Sequence, residues 1–176
     1  MLDALKLRPG STVADLGAGV GYFSFRMARR VGPEGKVLAI DLQPEMVQGV
    51  RERAGREGIG NVEAILATEK DPHLPAGGVD LVLMVDVYHE LADPSPVMAA
   101  AAKALLPADG KSPPGRLVLV EYRGEDPAVP ILPLHRTTRD QVQAELEGLG
   151  FRAAGTLEFL RHQRVLIFEP QQGAGP

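Results

Sequence analysis

The sequence predicts a single α/β domain built on a doubly wound, mostly parallel seven-stranded sheet with helices on both faces. Three observations carry this expectation. β-branched and apolar runs alternate with stretches of helical period, a glycine-rich turn follows the first such run, and the last two runs lie too close together for a parallel crossover. At 176 residues the chain is long enough to bury a layered core without staples. The domain is expected to span residues 1–170, leaving residues 171–176 as a flexible tail.

Taken in order, Leu2, Leu5 and Leu7 suggest a short helix stopped by Pro9-Gly10, and Thr12–Leu16 is a first strand ending on glycine. Phe23, Met27 and Val31 recur at i, i+4 and i+8, so Tyr22–Val31 reads as the first crossover helix, closed by Gly32-Pro33. Lys36–Asp41 is the second strand. Pro44 opens the next helix at its favoured first-turn position and Gly58 to Gly60 closes it, before a third strand over Val62–Ala67. Val79–Asp86 is almost continuously apolar, as a strand covered on both faces must be, and belongs at the centre of the sheet. Ser95–Leu106 is an alanine-rich helix, Arg116–Tyr122 a fifth strand, and Thr138–Leu149 a helix with Thr138 as its cap and Gly150 as its stop. Phe151–Leu160 and Gln163–Glu169 are joined only by Arg161-His162, which predicts an antiparallel hairpin. Lys111 to Gly115 and Arg123 to Pro133 read as irregular.

Apolar residues make up 44% of the chain and charged residues 24%, the balance of a soluble globular domain. No apolar run approaches the ~18 residues of a membrane span, and no charged-then-apolar leader begins the sequence, so a cytoplasmic protein with no membrane partner is expected. The absence of cysteine removes disulfides, thiolate metal sites and thiol nucleophiles together. A net charge of -4 argues against a grip on nucleic acid. Arg51, Arg53 and Arg56 are interleaved with Glu52 and Glu57 at helical spacing, which is the pattern of a solvated helix face.

The turn Asp15-Leu16-Gly17-Ala18-Gly19-Val20-Gly21 sits where open parallel sheets bind ligands, beyond the carboxyl end of the first strand. Its glycines let backbone pass close to a ligand, and the helix that follows starts with N–H groups directed at it. Asp41 closes the second strand about twenty residues further on, where a carboxylate can accept both hydroxyls of a ribose. Asp15, just before the turn, would repel a pyrophosphate but suit an ammonium group. The spacing is G-x-G-x-G, and the third glycine of a dinucleotide fingerprint would fall on Tyr22. A positively charged, phosphate-free nucleoside therefore fits better than a nicotinamide dinucleotide.

Val13–Gly21 resembles the first motif of the class I S-adenosylmethionine-dependent methyltransferases, and Val37–Asp41 with Pro44-Glu45-Met46 resembles the second. Asn61 to Glu63, Ala67 to Glu69, Leu74-Pro75 and Val79 to Val82 are similar to the family's third-strand and fourth-strand segments, so the likeness covers nearly the whole chain. It implies S-adenosyl-L-methionine as the cofactor and a Rossmann-like sheet of order 3-2-1-4-5-7-6 with its last strand antiparallel. It also implies roles: Gly17, Ala18, Gly19 and Gly21 along the methionine moiety, Asp15 toward its amino group, and Asp41 on the ribose. Leu42 and Ala67 would flank the adenine, with Thr68 or Glu69 beside it.

Asp86-Val87-Tyr88-His89-Glu90 ends the fourth strand, where the family has its fourth motif and where the methyl group would face the acceptor. Methyl transfer from a sulfonium is an in-line displacement, so positioning carries most of the work and a base is needed only for an acceptor that must lose a proton. His89 has the intrinsic pKa for that task, and Asp86 or Glu90 could orient or replace it, Asp86 also lining the cofactor. Tyr88, Tyr122, Arg123 and His135 are the implied contacts to a small-molecule acceptor; Tyr88 has a rival reading as core, and Arg123 as an ion pair with Glu125 or Asp126. No metal is expected: Asp86 and Glu121 lack a further clustered acid, and His89, Glu90 and His135 lack the paired spacing of zinc ligands.

Relatives in this family commonly carry extra N-terminal helices over the acceptor pocket, whereas this sequence begins a few residues before its first strand. The pocket is then open, covered by a partner subunit as in a homodimer, or covered by residues of a longer natural chain. Two rivals to methyl transfer stay in view: a nicotinamide-dependent oxidoreductase, disfavoured by Asp15, Tyr22 and the terminal hairpin, and a non-catalytic domain that binds S-adenosylmethionine.

Overall fold

A computed structural model describes residues 1–129, 131–132 and 135–171, so most of the predicted tail lies outside the described residues. Strands β1 (Thr12–Leu16), β2 (Lys36–Asp41), β3 (Val62–Leu66), β4 (Leu81–Val85), β5 (Arg116–Tyr122), β6 (Phe151–Leu157) and β7 (Gln163–Pro170) form one sheet in the order β3-β2-β1-β4-β5-β7-β6. The first five pair in parallel, and β7 runs antiparallel to both β5 and β6. Helices α1 (Ser24–Val31), α2 (Pro44–Glu57), α3 (Pro94–Leu105) and α4 (Arg139–Gly148) cover the sheet.

Alternation along each strand divides the core. Val13, Val37, Leu81, Leu83, Val118 and Val120 pack with Met27, Ala28 and Val31 of α1 and with Leu2 and Leu5 of an N-terminal 3-10 turn. Their neighbours Ala14, Leu38, Val82, Met84, Leu117 and Leu119 face α3 and α4 on the other side. Leu83 and Met84 are both fully buried, on opposite faces, as the unbroken apolar run requires of a central strand. Truncating either to alanine would cost about 2–5 kcal/mol.

Element ends depart from the sequence pattern where a specific contact intervenes. β4 starts at Leu81, two residues after the apolar run begins; Asp80 just before it is tied to both neighbouring strands, its N–H on the Thr12 carbonyl at 2.8 Å and its carbonyl accepting the Arg116 N–H at 3.0 Å, and its carboxylate accepts the Thr12 N–H at 2.9 Å. α1 starts at Ser24 because Ala18 to Gly21 form a turn closed by Gly21 N–H on the Ala18 carbonyl, and the helical ladder begins with Phe25 N–H on Gly21. α3 gains Pro94, since Asp93 caps it by accepting the Ser95 N–H at 3.0 Å. β6 stops at Leu157, short of the expected Leu160, because the Arg123 guanidinium takes the carbonyls of Glu158 and Leu160 away from strand pairing.

β1 has β2 on one side and β4 on the other, so the winding reverses between β1 and β4 and opens a crevice at their carboxyl ends. The glycine turn, the 3-10 turn Tyr88–Glu90 and the end of β5 meet there.

Candidate active site

The glycine turn is held by backbone and packing. Gly17 and Ala18 donate their N–H groups to the Ile40 carbonyl at 2.9 and 3.0 Å, tying the turn to β2. Gly17 has φ +77°, and a Cβ there would stand 2.3 Å from Val87 Cγ2, so both the backbone region and the close approach of the loop after β4 require glycine. A Cβ on Gly21 would meet the Phe25 ring at 2.7 Å. Gly19 differs: a Cβ would meet nothing within 4 Å, so open space lies over the middle of the turn. A ligand can lie against the backbone there.

Asp41 stands beside that space. Its Oδ2 accepts the Gly19 N–H at 2.7 Å and its Oδ1 the Gln43 N–H at 2.9 Å, which fixes the carboxylate while leaving each oxygen a second lone pair. Leu42 is half exposed, and Ala67 is held next to Asp41 by its N–H on the Asp41 carbonyl, so the two apolar residues lie beside Asp41. Thr68 is spent on a local turn, its hydroxyl accepting the Asp71 N–H at 3.0 Å. Asp15 lies buried beneath the glycines and accepts the Ser24 hydroxyl at 2.5 Å; burial outweighs that bond and pushes its pKa up to about 6. These residues fit a cationic nucleoside: an aminoacyl end over the glycines, a ribose on Asp41, a base between Leu42 and Ala67.

The acceptor side is built from side chains. Glu121, at the end of β5, is buried and accepts the Tyr88 N–H at 3.0 Å through one oxygen and meets His89 Nδ1 at 2.6 Å through the other. An ionised carboxylate can only accept, so with Glu121 ionised His89 Nδ1 is the donor in this bond and Nε2 is the ring nitrogen left over. The His89 side chain is 4% exposed, and its ring stands edge-to-face against His135, centroids 5.0 Å apart. Burial raises the pKa of Glu121, which the bond to His89 opposes, and the nearby Asp86 carboxylate raises it further. Asp86 has a positive φ of 55°, a strained conformation for a residue other than glycine, and is clamped by the Gln163 amide, which donates to both carboxylate oxygens at 2.7 and 2.8 Å. Burial raises its pKa as well. Glu90, beside it, is exposed.

Of the residues expected here, Asp86, His89, Glu90 and His135 come together, and two others, Tyr88 and Arg123, are engaged elsewhere. The Tyr88 ring is buried in the core under α4 and its hydroxyl donates to Glu145 at 3.0 Å, so the rival reading as core is the one realised. Arg123 pairs with Glu158 of the β6–β7 turn, not with Glu125 or Asp126, and is committed to closing that turn; Glu125 is taken by Arg164. Tyr122 is partly buried, opposite Gln163 in the β5–β7 ladder. Three contributors escaped the sequence reading. Ser24 carries no local mark. Gln163 reaches Asp86 only through antiparallel pairing. Glu121 as the partner of His89 did leave a signal, an acid ending an otherwise apolar central strand.

Comparison with known proteins now bears on this geometry. Residues 7–146 match the family described as a methyltransferase domain. Nocamycin O-methyltransferase of Saccharothrix syringae is 37% identical over 111 residues, 63% of this chain and 39% of that protein. An arsenite methyltransferase of Halobacterium salinarum is 42% identical over 69 residues, 39% of this chain and 17% of that protein. The chain thus spans less than half the length of these curated relatives. Among solved structures, a SAM-dependent methyltransferase from Aquifex aeolicus superposes with a TM-score of 0.83 at 28% identity, covering 95% of this chain and 87% of that one. The chain belongs to the methyltransferase-domain family, within the class I S-adenosylmethionine-dependent methyltransferases.

Proposed function

We propose that the protein transfers a methyl group from S-adenosyl-L-methionine to a nucleophilic atom of a small-molecule acceptor. The observation that carries this reading is the buried Glu121–His89 pair, which leaves a bare imidazole nitrogen in the crevice whose other wall is the open glycine turn with Asp41. The cofactor supplies an electrophilic methyl group on a sulfonium. The residues of the chain do the rest. Asp41 holds the ribose, the backbone from Gly17 to Gly21 receives the methionine end, and Asp15 meets its ammonium group. On the acceptor side, His89 Nε2 takes the proton as the acceptor's lone pair forms the bond to carbon and the carbon–sulfur bond breaks, its electrons going to sulfur. Glu121 stabilises the imidazolium that results. Asp86, fixed by Gln163, and His135 bound the space in which the acceptor sits.

Val20, Tyr22, Leu42, Leu132 and Phe159 are each about half exposed or more, and all lie on loops at the carboxyl edge of the parallel strands, the edge on which the crevice opens. This supports an acceptor with an apolar body and one ionisable heteroatom. Among the described residues no helix is long and apolar enough to cross a membrane; the reading takes the reaction as cytoplasmic and independent of nucleic acid. Incubation with a panel of phenolic, thiol and amine metabolites, following S-adenosylhomocysteine release, tests it. A methylated heteroatom product is expected, and cofactor binding without turnover of any member would favour a binding domain instead.

A further inference from the structure

We propose that His89, Glu90 and His135 form a binding site for a divalent transition-metal ion at the acceptor end of the crevice. Two imidazoles and a carboxylate bring ligand atoms that all lie within 4.8 Å of one another, although His135 comes from a separate loop of the chain. Neighbouring donors on one ion at bond lengths of about 2.1 Å stand about 3.0–3.4 Å apart, so closure from 4.8 Å asks for up to about 1.4–1.8 Å, shared between exposed Glu90 and the His135 side chain. The site's support points the same way. Metal-bound histidines ordinarily give their other ring N–H to a carboxylate, which fixes the tautomer and raises the basicity of the ligating nitrogen. Glu121 does this to His89: Nδ1 is committed at 2.6 Å, and Nε2 is left as the ligand atom on a side chain that is almost wholly buried.

Imidazole ligands suit zinc, copper, iron or nickel rather than magnesium, calcium or manganese. Three protein ligands leave coordination positions open, so the ion would keep a place for water or for the acceptor heteroatom. The inference rests on reading this crevice as the acceptor site, and deepens it. An acceptor oxygen or sulfur bound to the ion would ionise at lower pH and lose its proton to solvent, so with the ion bound His89 Nε2 would serve as a ligand and not as the base. An acceptor that chelates or ligates a metal through such an atom is the substrate class implied.

The test is titration of the chelator-treated protein with Co2+ in the absence of cofactor, read by its visible d–d absorption and by calorimetry. One tightly held equivalent is expected, weakened at least about tenfold by His135→Ala and by Glu90→Gln, and unchanged by His73→Ala, which removes an exposed histidine elsewhere. Circular dichroism and the thermal midpoint of each variant establish that it is folded. Absence of a tight equivalent, or equal weakening by His73→Ala, would overturn the metal site. Binding of S-adenosylhomocysteine, measured separately, keeps the two proposals apart. Nucleoside binding without cobalt binding removes the metal alone, and cobalt binding without nucleoside binding removes the methyl-transfer reading on which its role rests.

Discussion

The two walls of the crevice are built in opposite ways. The cofactor wall is a contiguous backbone device: three glycines with positive φ, two N–H groups on the Ile40 carbonyl, and one carboxylate bonded to Gly19. The acceptor wall is a convergence of side chains from the ends of β4, β5 and β7 and from the loop before α4, held by Glu121 on His89 and Gln163 on Asp86. Backbone devices bind whatever shares a common shape, whereas convergent side chains can be changed one at a time. On the proposed reading, the donor is fixed by the fold and the acceptor by a few substitutable residues.

Variants on the acceptor wall should change rate and leave donor affinity alone, while variants on the cofactor wall should do the reverse. The largest effect is expected for His89→Ala, which should lower the maximal rate by ~10²–10⁴-fold with S-adenosylhomocysteine affinity unchanged. Glu121→Gln should give a smaller loss in the same direction, because the imidazole keeps a hydrogen-bond partner but loses the charge that stabilises its protonated form. Equal rates in the parent and His89→Ala would remove His89 from the chemistry.

On the other wall, Asp41→Ala should weaken S-adenosylhomocysteine binding by about 1–3 kcal/mol in calorimetry, through loss of the ribose hydrogen bonds and of the tie to Gly19. An unchanged affinity would mean that the ribose sits elsewhere.

Asp15 sharpens the comparison through pH. Its pKa in the fold, about 6, lies above its ordinary value of 3.8, so the folded state holds the proton more tightly than the unfolded chain. Stability must then fall as pH rises from about 4 through about 6, and the cost, on the order of 2–3 kcal/mol, is complete above that window. Asp15→Asn should therefore be more stable than the parent at pH 8, with the difference vanishing near pH 4, as thermal melts will report. The same variant should bind S-adenosylhomocysteine more weakly, having lost the charge that meets its ammonium group. A variant that is more stable yet binds equally well would separate Asp15 from the ligand.

The same contrast explains what could be read from the sequence. β1, β2 and β5 have the ends that the apolar pattern assigns, α2 stops at Gly58 and α4 is capped by Thr138, because strand alternation, glycine stops and caps are local physics. The proposed cofactor wall lies in two short segments, Asp15 to Gly21 and Asp41-Leu42, that keep their spacing whatever the rest of the chain does, so its geometry is readable from the sequence. The meeting of His89 with His135, and of Asp86 with Gln163, depends on where β5 and β7 pair, which no local spacing encodes. Arg123 misled for a related reason. The charges nearest to it in sequence are Glu125 and Asp126, but the hairpin turn brings Glu158 to it, and pairing follows space.

The central claim is that the glycine turn with Asp15 and Asp41 holds a cationic nucleoside without a pyrophosphate. Parallel calorimetric titrations with S-adenosylhomocysteine and with NADH test it most directly. The account predicts saturable binding of S-adenosylhomocysteine, weakened by Asp41→Ala, and no measurable binding of NADH. Tight binding of NADH with none of S-adenosylhomocysteine would contradict it.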